Sequence, residues 1–312
     1  MNIFENLKNL SKDKNTVLTL GTFDGIHLGH QEIINKVISR SNEKGGRNFV
    51  ITFHPHPRTI VSAGYKIKLL TDLDEKIEIL ERLGVQNLLV IKFSQEFAEL
   101  SAEEFVQSVL VEGIGVSEIV LGHNHHFGKG RSGNVEMLKK LSTGKKFSVI
   151  AVDDCKFGTE IVSSTKIRKA LENTNIETAN KMLGRYYSFN GKVTEGDKRG
   201  RKLGYPTANI KISDTDKLIP AIGIYAVKIK LNGNDHIGLL SIGKRPTFYE
   251  SGELVSEVYI YDFDENIYGK KIKVEMVERI RGEEKFSSAE ELINQMNKDK
   301  VNGLKIFNEL NN

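Results

Sequence analysis

The chain has 312 residues, 39% hydrophobic and 28% charged, with a net charge of +4 and no low-complexity tract. This length predicts two domains, the composition excludes a disordered chain, and a charge excess spread thinly rather than gathered in a run argues against a polyanion-binding surface. The charged N-terminus MNIFENLKNLSKDKN and the absence of an apolar run near ~18 residues predict a cytoplasmic protein with neither signal peptide nor membrane span.

The single cysteine, Cys155, excludes an internal disulfide and a thiolate metal site, and an idle thiol is its expected state. In chain order, TVLTLG reads as a strand, and GHQEIINKVISRSNEKG follows with Ile33, Ile34, Val37 and Ile38 on one helical stripe. NFVITF is the next strand, and DEKIEILERLG a helix with Ile77, Leu80 and Leu83 on one face. NLLVIKF, SAEEFVQSVLVEG and SEIVLG repeat the alternation. Continuous apolar strands between amphipathic helices predict a parallel sheet covered on both faces. Ligands of such sheets sit beyond the carboxyl ends of the strands, at a switch in strand order. Three polar loops follow strands here: GTFDGIHLGH after TVLTL, HPHPR after NFVITF, and GHNHHFGKGR after SEIVL, and they are expected to share one rim.

The character changes near residue 185. After helical NIETANKML the chain becomes short alternating stretches, GIYAVKIKL, VSEVYIY and KIKVEMVERI, separated by Gly, Asn and Asp turns, which predicts a small β-barrel. SSAEELINQMNKDK opens with Ser287 and Glu290 in capping-box spacing and is expected to be helical. The boundary is placed at 184–187, giving domains 1–185 and 186–312.

In GTFDGIHLGH, Gly21 and Gly25 allow close backbone approach and Gly29 begins a helix, so free N–H groups and a positive helix end suit a phosphate. His27 and His30 stand three apart across that turn. At this point phosphate donors, metal ligands and ordinary cap histidines all remain open. In VSSTKIRKAL, Ser163, Ser164 and Thr165 form an N-cap cluster ahead of Lys166 and Arg168, a second helix start suited to phosphate. His54 and His56 are separated by prolines that stiffen the loop before Arg58. HNHH at 123–126 admits a metal reading or a ligand contact. In GKVTEGDKRGRKLGYPTANI, Gly191, Gly196, Gly200 and Gly204 interleave with Lys198, Arg199, Arg201 and Lys202 as a cationic loop or a solvated hairpin end. Thr207 and Asn209, two apart on an extended segment, offer two neutral oxygens on one side to a hard cation.

GTFDGIHLGH with VSSTKIR resembles the paired signatures of the HxGH nucleotidylyltransferase superfamily. TFHPHPR, LSAEEF and FGKGRSGN resemble, more narrowly, the adenylyltransferase module of bacterial bifunctional riboflavin kinase/FAD synthetases. The stretch RKLGYPTAN resembles the riboflavin kinase signature, and the likeness continues through IGKRPTF, SEVYIYDF, IYGKKIKV and RGEEKFSSAEELINQM to cover essentially the whole chain. The resemblance implies an α/β, Rossmann-like nucleotidylyltransferase domain followed by a six-stranded kinase barrel with a C-terminal helix. It implies phosphorylation of riboflavin by ATP and transfer of AMP from a second ATP to FMN, giving FAD and pyrophosphate.

By the same resemblance, Gly21, Phe23, Asp24, Gly25, His27, His30, Ser164, Thr165 and Arg168 bind the phosphates of one ATP, and Gly196, Lys202 and Thr207 those of the other. His27, His30 and Arg168 carry adenylyl transfer, Thr207 and Asn209 hold Mg²⁺, and Glu257 is the base for the ribityl 5′-hydroxyl. Asn124, His125, His126, Arg58 and Arg281 are expected on flavin. Two departures stand out. Asn124-His125-His126 replaces an acid or amide followed by Phe-Arg, and Lys244 precedes Arg245 after LLSIG where Asn-Ile-Gly is common. The expected partners are small molecules only, with no nucleic acid and no membrane. A protein with one working activity, or a flavin-binding regulator, are the competing readings, and a regulator needs neither a base nor cation ligands.

Overall fold

The computed structural model describes residues 1–62, 66–144, 147–196, 204–244 and 254–310. The chain folds as two compact units, Met1–Ser164 and Thr165–Asn312.

The first unit runs β1 (Asn2–Phe4), β2 (Thr16–Leu20), α1 (Leu28–Glu43), β3 (Asn48–His54), α2 (Pro57–Val61), α3 (Leu73–Arg82), β4 (Asn87–Lys92), α4 (Gln95–Ala98), α5 (Ala102–Phe105), β5 (Val116–Gly122), α6 (Val135–Ser142) and β6 (Ser148–Val152). Helix α5 continues as a π-helical stretch over Val106–Ile114. A small antiparallel pair, β7 (Lys156–Phe157) and β8 (Glu160–Ile161), follows. The six main strands form one sheet in the order β1-β4-β3-β2-β5-β6, and every pairing in it is parallel.

All five residues of β2 are buried, as a strand covered on both faces requires. Alternation sends Leu18, Leu20, Phe49 and Ile51 to a core with Phe105, Val106 and Leu110 of the π-helical side. Val50 faces the other layer, where Ile34 of α1 and Ile79 and Leu80 of α3 close the core. Strand order reverses at β2, which lies between β3 and β5. The loops after β2, β3 and β5 therefore leave neighbouring strands at the same end, as expected from their sequence.

The second unit takes in α7 (Ser164–Glu172), α8 (Ile176–Leu183), β9 (Tyr187–Thr194), β10 (Thr207–Ile212), β11 (Gly223–Leu231), β12 (Asn234–Lys244), β13 (Leu254–Ile260), β14 (Lys271–Arg281) and α9 (Ala289–Leu310). The strands close into a barrel, β10-β13-β12-β11-β14-β9, antiparallel throughout. Phe189, Val193, Val227, Leu240, Val258, Val274 and Met276 are buried in it. Helix α7 groups with the barrel because the Ala221 N–H donates to Leu171 O at 3.1 Å. Helix α8 does so through Asn180 Nδ2, 2.9 Å from Met276 O, and Asn180 Oδ1, 2.7 Å from the Tyr187 N–H. The division between the units thus precedes the change in sequence character.

The cap of α9 differs from expectation by one residue. Ser288 Oγ accepts from the Glu291 N–H at 3.2 Å, and Glu291 Oε2 accepts from the Ser287 N–H and hydroxyl at 3.0 and 2.8 Å. Tandem Ser and tandem Glu offer two capping frames, and the helix starts at Ala289. In VSSTKIR the helix begins at Ser164, whose hydroxyl donates to Asp24 O at 2.8 Å.

Candidate active sites

The turn after β2 is built from backbone held at many points. His27 is the N-cap of α1, its Nδ1 accepting from the His30 N–H at 3.4 Å. With Nδ1 an acceptor, a neutral His27 carries its proton on Nε2 and presents a donor there. The two imidazoles stack with centroids 3.7 Å apart, and Phe23 meets His30 edge-on. His27, three residues before His30, is thus brought onto the same spot by one helical turn.

Gly25 sits at φ 85°, the left-handed region that glycine tolerates, and its N–H donates to Thr71 Oγ1 at 3.1 Å. Phe23 and Ile26 also adopt positive φ, 47° and 37°, although neither is glycine. Asp24 is buried, and its Oδ1 accepts from the Leu70 and Thr71 N–H groups at 2.8 and 3.2 Å. That carboxylate braces the 70–71 segment, a role that residue type and spacing do not announce. Lys76, equally unannounced, reaches Thr22 O at 2.7 Å from α3. Gly21 continues the strand pairing, its N–H donating to Ile51 O at 3.0 Å.

The neighbouring loops complete this rim. Arg58 lies in the short helix α2, where its N–H donates to His56 Nδ1 at 3.1 Å. Phe53, Phe93, Phe97, Phe105 and Phe127 follow one another in ring contact with centroids 5.6–6.0 Å apart, and His125 stacks on Phe127 at 6.1 Å. The LSAEEF and FGKGRSGN segments meet in this row, with the Lys129 N–H donating to Leu100 O at 2.9 Å. Burial pushes the His125 imidazole down to about 4, helped by His126 and Arg131, so His125 is neutral at pH 7. Its Nε2 is closed off from solvent with no hydrogen-bond partner among the described residues. His126 Nδ1 lies 3.2 Å from Arg131 O, and Asn124 Nδ2 donates to Asp154 Oδ2 at 2.9 Å. Among the described residues no three His, Cys, Asp or Glu side chains gather as a metal site. Cys155 has its thiol pushed up to about 11 by burial and by Glu32, which makes it a poor nucleophile.

In the second unit, Thr165 and Arg168 stand in the first turns of α7. On the barrel, pairing places Asn209 of β10 opposite Glu257 of β13, and Thr207 Oγ1 donates to Glu257 Oε2 at 3.0 Å. Alternation explains the grouping: Ser256, Val258 and Ile260 point into the barrel, so Glu257 faces outward beside Thr207 and Asn209. Gly196 lies against this cluster, since a β-carbon there would collide with the Asn209 carboxamide. A cavity of about 440 Å³ opens beside Thr207, lined by Val193, Ala208, Phe263, Asn266 and Tyr268 among others.

Arg281 donates from Nε and Nη2 to the Asp299 carboxylate at 2.7–3.0 Å, and from Nη1 to Gly282 O at 2.9 Å, tying β14 to α9. Lys202, with most of its glycine-rich cationic loop, and Arg245 of IGKRPTF lie outside the described residues.

A parallel sheet with His-Leu-Gly-His at its switch point, followed by a barrel bearing a Thr-Asn-Glu cluster, defines a two-module transferase that pairs nucleotidyl transfer with a kinase. Sequence comparison agrees module by module: the FAD synthetase family model matches residues 9–166 and the riboflavin kinase model residues 183–307. The chain belongs to the bifunctional riboflavin kinase/FMN adenylyltransferase family. It is 41% identical to the protein of that name from Listeria monocytogenes over 96% of this chain and 94% of that one. Identity is 39% with that of Bacillus subtilis, over 95% and 93%, and 31% with that of Escherichia coli, over 98% of each. A crystal structure described as a macrolide-efflux protein from Streptococcus pneumoniae has the same fold, with TM-score 0.87 and 32% identity over 96% of this chain and 97% of that one. No helix among the described residues of this chain is long and apolar enough to cross a membrane.

Proposed function

We propose that this chain makes FAD from riboflavin in two ATP-dependent steps: phosphorylation of the ribityl 5′-hydroxyl by the barrel module, then transfer of AMP to FMN by the α/β module. The observation that carries this reading is a separate cluster of candidate residues in each unit, the stacked His27–His30 pair in one and the Thr207–Glu257 contact in the other. We assign adenylyl transfer to residues 1–185 and the kinase to residues 186–312.

In the kinase step Glu257 takes the hydroxyl proton as the oxygen attacks the γ-phosphorus, and ADP leaves. Thr207, donating to Glu257, keeps the carboxylate oriented. The Thr207 hydroxyl and Asn209 carboxamide are hard oxygen donors that suit Mg²⁺, which would supply charge neutralisation on the phosphates when bound. The base of this ATP takes the cavity beside Thr207, and Gly196, against Asn209, belongs to its phosphate side.

In adenylyl transfer the FMN phosphate oxygen attacks the α-phosphorus of ATP and pyrophosphate leaves, without a covalent enzyme intermediate. Rate comes from positioning two polyanions and offsetting their charge. The turn backbone at Gly21, Phe23, Asp24 and Gly25, where glycine allows close approach, forms the bed for the phosphates together with the Nε2 donor of His27 and with His30. Ser164 steadies that bed through Asp24, and Thr165 and Arg168 carry the phosphate-binding chemistry of α7. Flavin takes the aromatic row. Neutral His125, stacked on Phe127, suits a ring face, while Asn124, His126 and Arg58 line its polar side. Arg281 serves the kinase flavin site through the segment after β14 that it fixes to α9. We place the protein in the cytoplasm, where ATP is at hand as co-substrate.

Incubation of the full chain with riboflavin, ATP and Mg²⁺, with flavins separated chromatographically over time, is expected to show FMN first and FAD second. Riboflavin left unchanged while supplied FMN becomes FAD would leave a single activity, and no product in either case would leave a flavin-binding protein.

A further inference from the structure

We propose that Lys76 is a positioning residue for adenylyl transfer: its buried ammonium holds the carbonyl of Thr22, and through it the turn that receives the ATP phosphates. The inference rests on the adenylyltransferase reading above.

Lys76 is only 7% exposed, on the inner face of α3. Its Nζ donates to Thr22 O at 2.7 Å and to Thr52 Oγ1 at 3.3 Å, and Thr52 Oγ1 itself lies 3.3 Å from Thr22 O. Two side chains from different elements thus converge on one carbonyl, at the point where β2 becomes the turn. A carbonyl and a hydroxyl are weak compensation for a buried ammonium. Burial pulls it down to about 8, while Asp24 and Asp72 act on it through space and favour the charged form. It therefore remains largely protonated at pH 7.

The turn needs such support. Phe23 and Ile26 hold positive φ, which side chains of that bulk disfavour, so the conformation persists only where surrounding groups impose it. The N–H groups of Leu70 and Thr71 on Asp24, Thr71 on Gly25, Ser164 on the Asp24 carbonyl and Gln31 Nε2 on Ile26 O at 2.8 Å brace the turn from Asp24 onward. Lys76 and Thr52 brace its entry, and Lys76 brings a positive charge beneath a site for a tetra-anionic ligand. An apolar side chain of similar length would fill the same space without the charge, and such replacements in a core are often tolerated. A lysine at this place is explained by what the turn binds.

The test uses the full chain and compares Lys76→Met with the native protein. In FMN adenylylation the KM for ATP is expected to rise about 10-fold to 10²-fold, as for small misplacements of a binding frame, with the KM for FMN within about twofold of native. Riboflavin phosphorylation by the same preparation should be unchanged. Thr52→Val should raise the KM for ATP in the same direction by less, and the double variant should be no worse than Lys76→Met, because both side chains act on one carbonyl. If Lys76→Met fails to fold, the Thr52→Val result decides. A fall in kcat with both KM values unchanged, or unchanged kinetics, overturns the proposal and leaves Lys76 a packing residue. Native protein that makes no FAD from FMN overturns the adenylyltransferase reading and this inference together, whereas native activity with an unmoved ATP KM overturns the inference alone.

Discussion

Glu257 and His27, to which we assign the base and phosphate-donor roles, each stand where local structure also needs them. Glu257 stands on a strand with Asn209 opposite and the Thr207 hydroxyl on its carboxylate, so its orientation is set before any ligand arrives. Glu257→Gln keeps shape and an acceptor for Thr207 but removes basicity. Riboflavin phosphorylation at saturating ATP and Mg²⁺ is expected to fall about 10²-fold to 10⁴-fold, the share of a general base, while FAD formation from supplied FMN serves as an internal control and stays at its native rate. A change within about twofold would make Glu257 one more polar residue on an outer face. His27 caps α1 through Nδ1, so alanine there removes both a cap and the proposed phosphate donor; asparagine, a strong N-cap residue, separates the two roles.

At the scale of elements, α1 links the turn after β2 at one end to the sheet at the other. Near its C-terminus Arg40 makes a two-point pair with Glu118 of β5, Nε to Oε1 at 2.6 Å and Nη2 to Oε2 at 2.9 Å, with Lys44 and Ser148 also on that carboxylate. The Arg40 hydrogen bond holds the Glu118 carboxyl down at about 2, well below its ordinary 4.5. A depressed carboxyl contributes stability that is full above the unfolded value and disappears as pH falls toward the folded one. Thermal unfolding followed by circular dichroism should therefore show the native Tm dropping more steeply between pH 4.5 and pH 2 than that of Glu118→Gln. The variant should start lower by several degrees at pH 7. Parallel curves for the two proteins would mean that the pair contributes nothing measurable.

At the scale of the whole molecule, the residues proposed for adenylyl transfer and for the kinase form two separate sets, and a change in one should leave the other at work. His27→Asn is expected to reduce FAD formation about 10²-fold to 10³-fold, the usual loss for a preorganised donor, with riboflavin phosphorylation intact so that FMN accumulates. Equal loss of both activities in the time course would show instead that the substitution unfolds the chain or that the two reactions share one site.

Much of this was legible in the residues themselves. Apolar runs such as TVLTL and NFVITF between amphipathic helices announced a parallel sheet, because a strand buried on both faces has no polar side. The glycine-flanked histidines and the PTAN spacing announced which side chains stand together, since one helical turn or two strand residues suffice to bring such groups to one side. What tertiary structure decided is of longer range. Lys76 reads in sequence as one more charge on an amphipathic helix, and only packing shows it buried against Thr22. Asp24 reads as a ligand residue, yet its carboxylate braces a segment 46 positions away. Thr207 and Glu257 meet only because barrel closure sets the register of β10 against β13, and the place of β2 between β3 and β5 follows from how the crossovers run. Residue type and spacing determine which chemistry is available and which local structure carries it. Burial, register and the partner of a buried charge depend on contacts between distant segments, and only the folded chain determines them.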